Sequence, residues 1–259
     1  MIVANLATYP PRSAFLPVVL RAVSPQVDRL NLVLNEHDAV PDFVEEFQNV
    51  VPILPEHDTK DAGKFYPDTT GAEFVFFVDD DVVYPDDFVA TTLARMAALG
   101  EGRWFGGYHG SIYQRPWPGA NWKQIKRMAG FHLFPHRLAN YRRFIHFGMT
   151  VSEPVYVDQI ATNASIIRGS DAPPYDYMRS SQKFVDVRIA KWCHEQGIAR
   201  VSLPRDADWL APSRAVGVVF EETIIRGFTD KHHAHVAREI REFAFREPRV
   251  GQPVRQPAQ

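Results

Sequence analysis

The sequence predicts an α/β protein with a doubly wound, mostly parallel sheet, and two observations carry that prediction. Strand and helix signals alternate over roughly the first ninety residues, a pattern that builds parallel sheets through right-handed crossovers. The run Phe74-Val75-Phe76-Phe77-Val78 is continuously apolar, as expected of a strand buried on both faces, and it runs straight into Asp79-Asp80-Asp81. In open α/β sheets ligands bind beyond the carboxyl ends of the strands, so these acids fall where a site belongs.

Taken in order, Ile2 to Thr8 is a short apolar strand closed by the turn Tyr9-Pro10-Pro11-Arg12. Ala14 to Val23 follows with helical spacing and stops at Ser24-Pro25. Arg29 to Asn35 is a second strand, Pro41 to Phe47 a short helix, Val50 to Leu54 a third strand and Phe74 to Val78 a fourth, before a helix from about Asp86 to Leu99. Further on, Val185, Ile189, Trp192 and Cys193 recur at helical spacing and Gly197 is placed to stop that helix, with Asp186 in its first turn. No internal repeat is evident, and Glu247 to Gln259, with three prolines and little apolar content, reads as a flexible tail.

Composition narrows the function classes. With 259 residues, 45% hydrophobic and 23% charged, and a net charge of −2, the chain is globular and its overall charge favours neither nucleic acid nor a solvating tail. Cys193 is the single cysteine, so no intramolecular disulfide can form, which fits a reducing compartment. The amino terminus lacks a basic region ahead of its apolar residues, and no apolar run approaches a membrane span. The expectation is a cytoplasmic protein, with a peripheral contact to the inner face of the membrane left open.

Asp79 and Asp81, on alternate positions of a strand-end turn, can aim two carboxylates at one hard cation. Mg²⁺ or Mn²⁺ held in this way usually completes its shell with substrate phosphate oxygens. Lys64 follows Gly63, so a turn can bring a point charge against a phosphate, and Asp61 can accept from a ribose or base. Arg12 and Asn35 also suit plain turns, and Asp186 also suits a helix cap, with Asp176 as the nearest rival acid. The cluster Asp230-Lys231-His232-His233-Ala234-His235 offers metal ligands or a solvated helix start.

The turn with Arg12, the strand ending at Asn35, the segment Asp58-Thr59-Lys60-Asp61-Ala62-Gly63-Lys64-Phe65-Tyr66 and the acidic turn, in that order, resemble family 2 glycosyltransferases of the GT-A fold, and most of all the bacterial enzymes of capsule and surface-polysaccharide synthesis. The resemblance covers about residues 1–100 and resumes weakly near 184–235. It implies a metal-dependent inverting transferase, with a nucleotide-sugar-binding half at 1–100, an acceptor-binding and catalytic half at 101–246 and the tail at 247–259. By this resemblance Thr8, Arg12, Asn35, Asp61, Lys64, Asp79 and Asp80 line the nucleotide pocket, and Asp79 and Asp81 hold Mn²⁺ or Mg²⁺ against the diphosphate. His233 or His235 completes the metal shell, and Asp186 is the general base. The family's usual Glu-Asp pair is here Val185-Asp186. The implied partners are a nucleoside diphosphate sugar donor and a glycan or lipid-linked glycan acceptor. Two other readings stay open: a metal-dependent nucleotidyl or phosphoryl transferase, and a non-catalytic relative that only binds nucleotide or glycan.

The middle of the chain is distinct. Between Glu101 and Glu153 there is no acid, while Arg103, Arg115, Lys123, Lys126, Arg127, Arg137, Arg142 and Arg143 give +8 and leave −10 on the rest. Trp104, Trp117 and Trp122 lie here too. Aromatic faces suit sugar rings and arginine forks suit carboxylates or phosphates, so the stretch is expected on the acceptor side, with an anionic acceptor favoured. No nucleic-acid-binding signature accompanies it.

Overall fold

The computed structural model describes residues 1–117, 119, 121–218, 230–246 and 249–252. An eight-stranded sheet forms the centre. Its strands are β1 (Ile2–Thr8), β2 (Arg29–Leu34), β3 (Val50–Ile53), β4 (Phe74–Val78), β5 (Trp104–Gly107), β6 (Val155–Tyr156), β7 (Ala164–Arg168) and β8 (Ala199–Ser202). Their spatial order is β3-β2-β1-β4-β7-β5-β8-β6. The first four pair in parallel, with Leu6 opposite both Leu32 and Val78. β5 and β8 also pair in parallel, while β7 runs antiparallel between β4 and β5 and β6 closes the edge antiparallel to β8. The sheet is therefore mostly parallel, as expected, with one reversed strand at its centre.

Helices cover both faces. On one side α1 (Leu16–Val23) buries Leu16, Val19, Leu20 and Val23, an i, i+3, i+4, i+7 stripe. Beside it α2 (Phe88–Ala97) buries Phe88, Val89 and Met96. On the other side lies α4 (Val185–Glu195), with Val185, Ile189 and Cys193 inward and Gly197 at φ 67° just past its end. β4 serves both cores: Phe76 and Val78 join the α1–α2 side, and Val75 and Phe77 the α4 side. Phe76 meets the Phe88 ring edge-on at 5.6 Å, and Phe77 meets Phe65 at 4.6 Å. Burial on both faces is what its unbroken apolar sequence required.

The expected helix at 41–47 is a 3₁₀ turn over Asp42–Glu46, too short for α-helical pairing. A smaller antiparallel sheet of Gln159–Ile160, Gly110–Tyr113 and Arg142–Ile145 stands over the second half of the chain. Next to it come α3 (Trp122–Leu133) and α5 (Asp230–Phe243), the latter packed on α4. The expected tail at 247–259 lies outside the described residues except for 249–252. There Arg249 pairs at 3.0 Å with the buried Asp158, so the chain is tied to the body at that point.

A polar ladder crosses this core. Asn31 on β2 donates to Asn5 Oδ1 on β1 at 2.8 Å, and Asn5 Nδ2 donates to the Lys64 carbonyl at 2.8 Å. Asn5 and Asn31 are both buried. The ladder clamps the turn bearing Lys64 to the sheet, so Asn5→Ala should cost about 1–3 kcal/mol in urea unfolding, the penalty of stranding buried polar partners. A loss below about 0.5 kcal/mol would show that water replaces the amide at no cost.

Candidate active site

Of the sequence-predicted residues, Thr8, Arg12, Asn35, Asp79, Asp80 and Asp81 lie at the carboxyl ends of three adjacent strands, β2, β1 and β4. β1 delivers Thr8 and, after the turn Pro10–Arg12, Arg12; β4 runs into Asp79-Asp80-Asp81; β2 ends beside Asn35. A 3₁₀ segment, Lys60–Phe65, packs across the end of β1 and carries Asp61 and Lys64. Gly63 makes that approach possible, because a Cβ there would stand 2.5 Å from Thr59 Oγ1 and 3.1 Å from Val33 Cγ1. Its role is close packing rather than the flexible turn that the sequence suggested.

The acidic turn keeps strand alternation. Side chains of Asp79 and Asp81 are 33% and 36% exposed, whereas that of Asp80 is 5% exposed. Asp80 Oδ1 accepts from Arg12 Nη1 at 2.7 Å, and the same nitrogen lies 2.8 Å from Asp81 Oδ2. Burial disfavours the Arg12 charge, but Asp80 and Asp81 more than offset this and hold the guanidinium protonated. Burial lifts the Asp80 carboxyl to about 6 against the pull of Arg12. Thr8 brings its hydroxyl beside Asp80 without completing a hydrogen bond of good geometry. Asp80 is thus a support for Arg12, not an open ligand position as the resemblance implied, because a buried carboxylate requires a buried counter-charge.

Lys64 is the centre of a second group. Its ammonium pairs with Asp79 Oδ1 and donates to the Thr162 carbonyl at 2.8 Å. Asp186 Oδ1 accepts from the Thr162 N–H at 2.9 Å and its hydroxyl at 3.0 Å. Its second oxygen makes no hydrogen bond among the described residues. Burial raises the Asp186 carboxyl above the usual range, and the Thr162 hydrogen bonds and Lys64 only partly counter this. No side-chain cap closes the start of α4, so Asp186 faces the site rather than capping its helix. Asp61 accepts from the Lys183 N–H at 2.6 Å and is lifted to about 6, first by burial and then by the nearby Asp186. Burial alone would lower the Lys64 pKa, yet Asp79, Asp186 and Asp61 keep it raised, so the ammonium stays charged.

Not every expected residue joins. Asn35 accepts from the Thr59 N–H and hydroxyl at 2.8 and 2.7 Å and donates to the Lys60 carbonyl at 3.0 Å, so it positions the Lys64 segment. His235 is engaged by Glu239 at 2.8 Å and stacks near Phe184, and His233 lies exposed on α5. No group of three or more His, Cys, Asp or Glu among the described residues is arranged to hold a metal, so neither histidine is assembled with Asp79 and Asp81. Asp176 is 87% exposed and faces Arg179, which leaves the interior position to Asp186.

Three contributors had no sequence signal. Thr162 links Lys64 to Asp186, and Tyr84 accepts from the Asp79 N–H at 2.8 Å while donating to the Asn163 carbonyl. His109 stacks 5.1 Å from His146, and burial, then His146 and Arg142, depress it to about 4, so it is neutral at physiological pH. Only the proximity of Tyr84 to the acidic turn could have flagged any of them.

The donor set of Asp79 and Asp81 is chemically suited to a hard divalent cation. One oxygen of Asp79 and one of Asp81 are paired with Lys64 and Arg12, and both carboxylates reach solvent. Burial and the neighbouring Asp79 raise the Asp81 carboxyl, a clustering of negative charge that a cation relieves. Two carboxylates suffice where phosphate oxygens and water fill the remaining positions.

The Asp61 environment has a pH signature. A carboxyl whose folded pKa is raised contributes stability below its unfolded value and loses it as pH rises through the folded value. Asp61→Asn keeps an oxygen for Lys183 and removes the buried charge. The variant should therefore exceed the parent in unfolding free energy above about pH 6 and match it below about pH 3.8. A difference independent of pH would mean that Asp61 is not strained in the folded state.

No protein-family model matches the chain, and no curated protein matches it in sequence. Among solved structures it is similar to S. aureus TarS at 13% identity and a TM-score of 0.48, over 95% of this chain and 44% of that one. The chain thus spans less than half the length of that protein. It is also similar to glucosyl-3-phosphoglycerate synthase from Mycobacterium tuberculosis, in a complex with Mn²⁺, UDP-glucose and phosphoglyceric acid, at 14% identity and a TM-score of 0.43 over 84% of this chain and 74% of that one.

Proposed function

We propose that this protein is a metal-dependent, inverting GT-A glycosyltransferase that moves a sugar from a nucleoside diphosphate sugar to a glycan-type, anionic acceptor in surface-polysaccharide synthesis. The observation that carries this reading is the convergence of Asp61, Lys64, Asp79 and Asp186 at the carboxyl ends of parallel strands, with Asp81 and Arg12 alongside. Asp79 and Asp81 would hold Mg²⁺ or Mn²⁺, which supplies positive charge against the diphosphate of the departing nucleotide. Lys64 adds a fixed cation within the same group, and Arg12, held against Asp80 and Asp81, sets a guanidinium charge beside the same carboxylates.

Asp186 is suited to the proton step. The acceptor hydroxyl attacks C1 of the sugar as the C1–oxygen bond to the diphosphate breaks, and the hydroxyl proton passes to the free oxygen of Asp186. Attack from the face opposite the leaving group inverts C1. Burial makes Asp186 a stronger base than an exposed carboxylate while the Thr162 hydrogen bonds fix its direction. On the acceptor side Arg142 is half-buried, stacks 4.3 Å over Phe144 and keeps Nε without a partner among the described residues, which favours an anionic acceptor group.

Thermal-shift screening of nucleoside diphosphate sugars with and without Mn²⁺, followed by product analysis, tests the assignment. Asp81→Ala should abolish metal-dependent donor stabilisation with the fold intact. Asp186→Asn should keep donor binding and lower transfer by about 100-fold or more. Release of pyrophosphate rather than nucleoside diphosphate would point to nucleotidyl transfer, and near-normal transfer by Asp186→Asn would remove it as base.

The acceptor side has its own test. Replacing Arg142 and Arg143 with Glu should raise the acceptor KM, and the KM of the parent should climb with salt, because exposed charge is screened over roughly 8–10 Å near physiological ionic strength. Equal damage to donor binding would detach these arginines from acceptor recognition.

A further inference from the structure

The helix α3, Trp122–Leu133, is amphipathic, but its apolar stripe points the wrong way for a core helix. Trp122, Ile125, Ala129 and Leu133 follow i, i+3, i+7, i+11 spacing and so share one face. That face is open: Trp122 is 67% exposed, Ile125 45% and Leu133 70%, and α3 contains no buried residue. The opposite face, with Gln124, Met128 and Phe131, is the half-buried one, and Phe131 contacts the Tyr141 and Phe245 rings. Trp117, 81% exposed, and Phe134, 44% exposed, flank the helix in sequence with further exposed aromatic rings. Asn121 caps the helix by accepting from the Gln124 N–H at 2.9 Å, so the element is properly begun despite its exposure.

The charges that this stretch of chain itself carries are all of one sign. Lys123, Lys126, Arg127 and Arg137 are exposed beside it, Lys126 lies 5.3 Å over the Trp122 ring, and no acid occurs between Glu101 and Glu153. A solvent-facing apolar stripe calls for a covering surface, and an all-basic rim selects an anionic one. A second copy of the chain would bring like charges together around the same patch. Twelve residues rise only about 18 Å, well short of a span across a hydrocarbon core of about 30 Å. We infer that α3, with Trp117 and Phe134, is an interfacial docking element that lies in the plane of an anionic lipid bilayer, apolar stripe inward and lysines against the headgroups.

The inference does not depend on the reaction proposed above, and its test reads binding alone. The full chain is sedimented with vesicles of phosphatidylcholine and with vesicles in which about a third of the lipid is phosphatidylglycerol, at low and high salt. The protein should pellet with the anionic vesicles, stay largely free of the zwitterionic ones, and be released by salt. Ile125→Ser with Leu133→Ser, and separately Lys123→Glu with Lys126→Glu, should each weaken binding about tenfold or more while thermal unfolding is unchanged, since all four side chains are exposed. Failure of the parent to bind anionic vesicles overturns the inference, as does equal binding to both vesicle types. Unimpaired binding by the Ile125/Leu133 variant would leave only electrostatic contact and overturns insertion of the stripe. A concentration-dependent dimer that this variant abolishes, without vesicle binding by the parent, would assign the patch to self-association instead.

Discussion

The Lys64 ammonium is buried within a group of carboxylates, and the candidate site depends on that arrangement. Asp79, Asp61 and Asp186 come from a strand end, a 3₁₀ segment and a helix start that are far apart in sequence. Burying any one of these acids without a nearby cation would be costly, and burying the lysine without them would discharge it. Lys64 therefore requires these acids as a group, while Asp61 is a member whose charge burial strains. The Thr162 carbonyl accepts a further hydrogen bond from Lys64 while its N–H and hydroxyl donate to Asp186, so one residue of the turn before β7 sets the spacing between the ammonium and the Asp186 carboxylate.

Arg12 repeats the principle a few residues away. It balances the hidden Asp80 and reaches the open Asp81, so the turn after β1 is fixed to the turn after β4. Around both pairs the rigid parts are apolar. β4 packs on both faces through Phe76 and Phe77, and the Asn31–Asn5–Lys64 ladder ties the 3₁₀ segment to the sheet. The charged side chains thus stand on a scaffold whose stability comes from burial elsewhere, the usual way a sheet end tolerates like charges in proximity.

The second half of the chain is organised differently. Its arginines divide into structural and open ones. Arg103 is held by Asp171 at 2.8 Å and by the Gln196 carbonyl, while Arg143 and the cations of α3 face solvent. The absence of acids across this stretch is therefore not a uniform field. It resolves into a part near His109 and Arg142, close to the carboxylates, and a part on α3, where charge borders exposed apolar side chains.

The amino-terminal half was legible because its signals are local. Continuous apolar runs fix strands buried on both faces, helical spacing fixes α1, α2 and α4, and Gly197 ends α4 as its position demands. Strand alternation also separates the open Asp79 and Asp81 from the hidden Asp80 once β4 is identified. What the sequence could not determine is which distant groups meet. The reversal of β7 in the middle of the sheet brings Thr162 and Asn163 to the acidic turn, and no periodicity in Ala164–Arg168 announces its direction. The same holds for the histidines. Three within four residues suggest a ligand cluster, but helix packing directs His235 to Glu239 and leaves His233 outside. Residue type and local spacing depend on the chain's own geometry, whereas pairing between carboxylate and cation depends on where whole elements come to rest, and only the tertiary structure decides that.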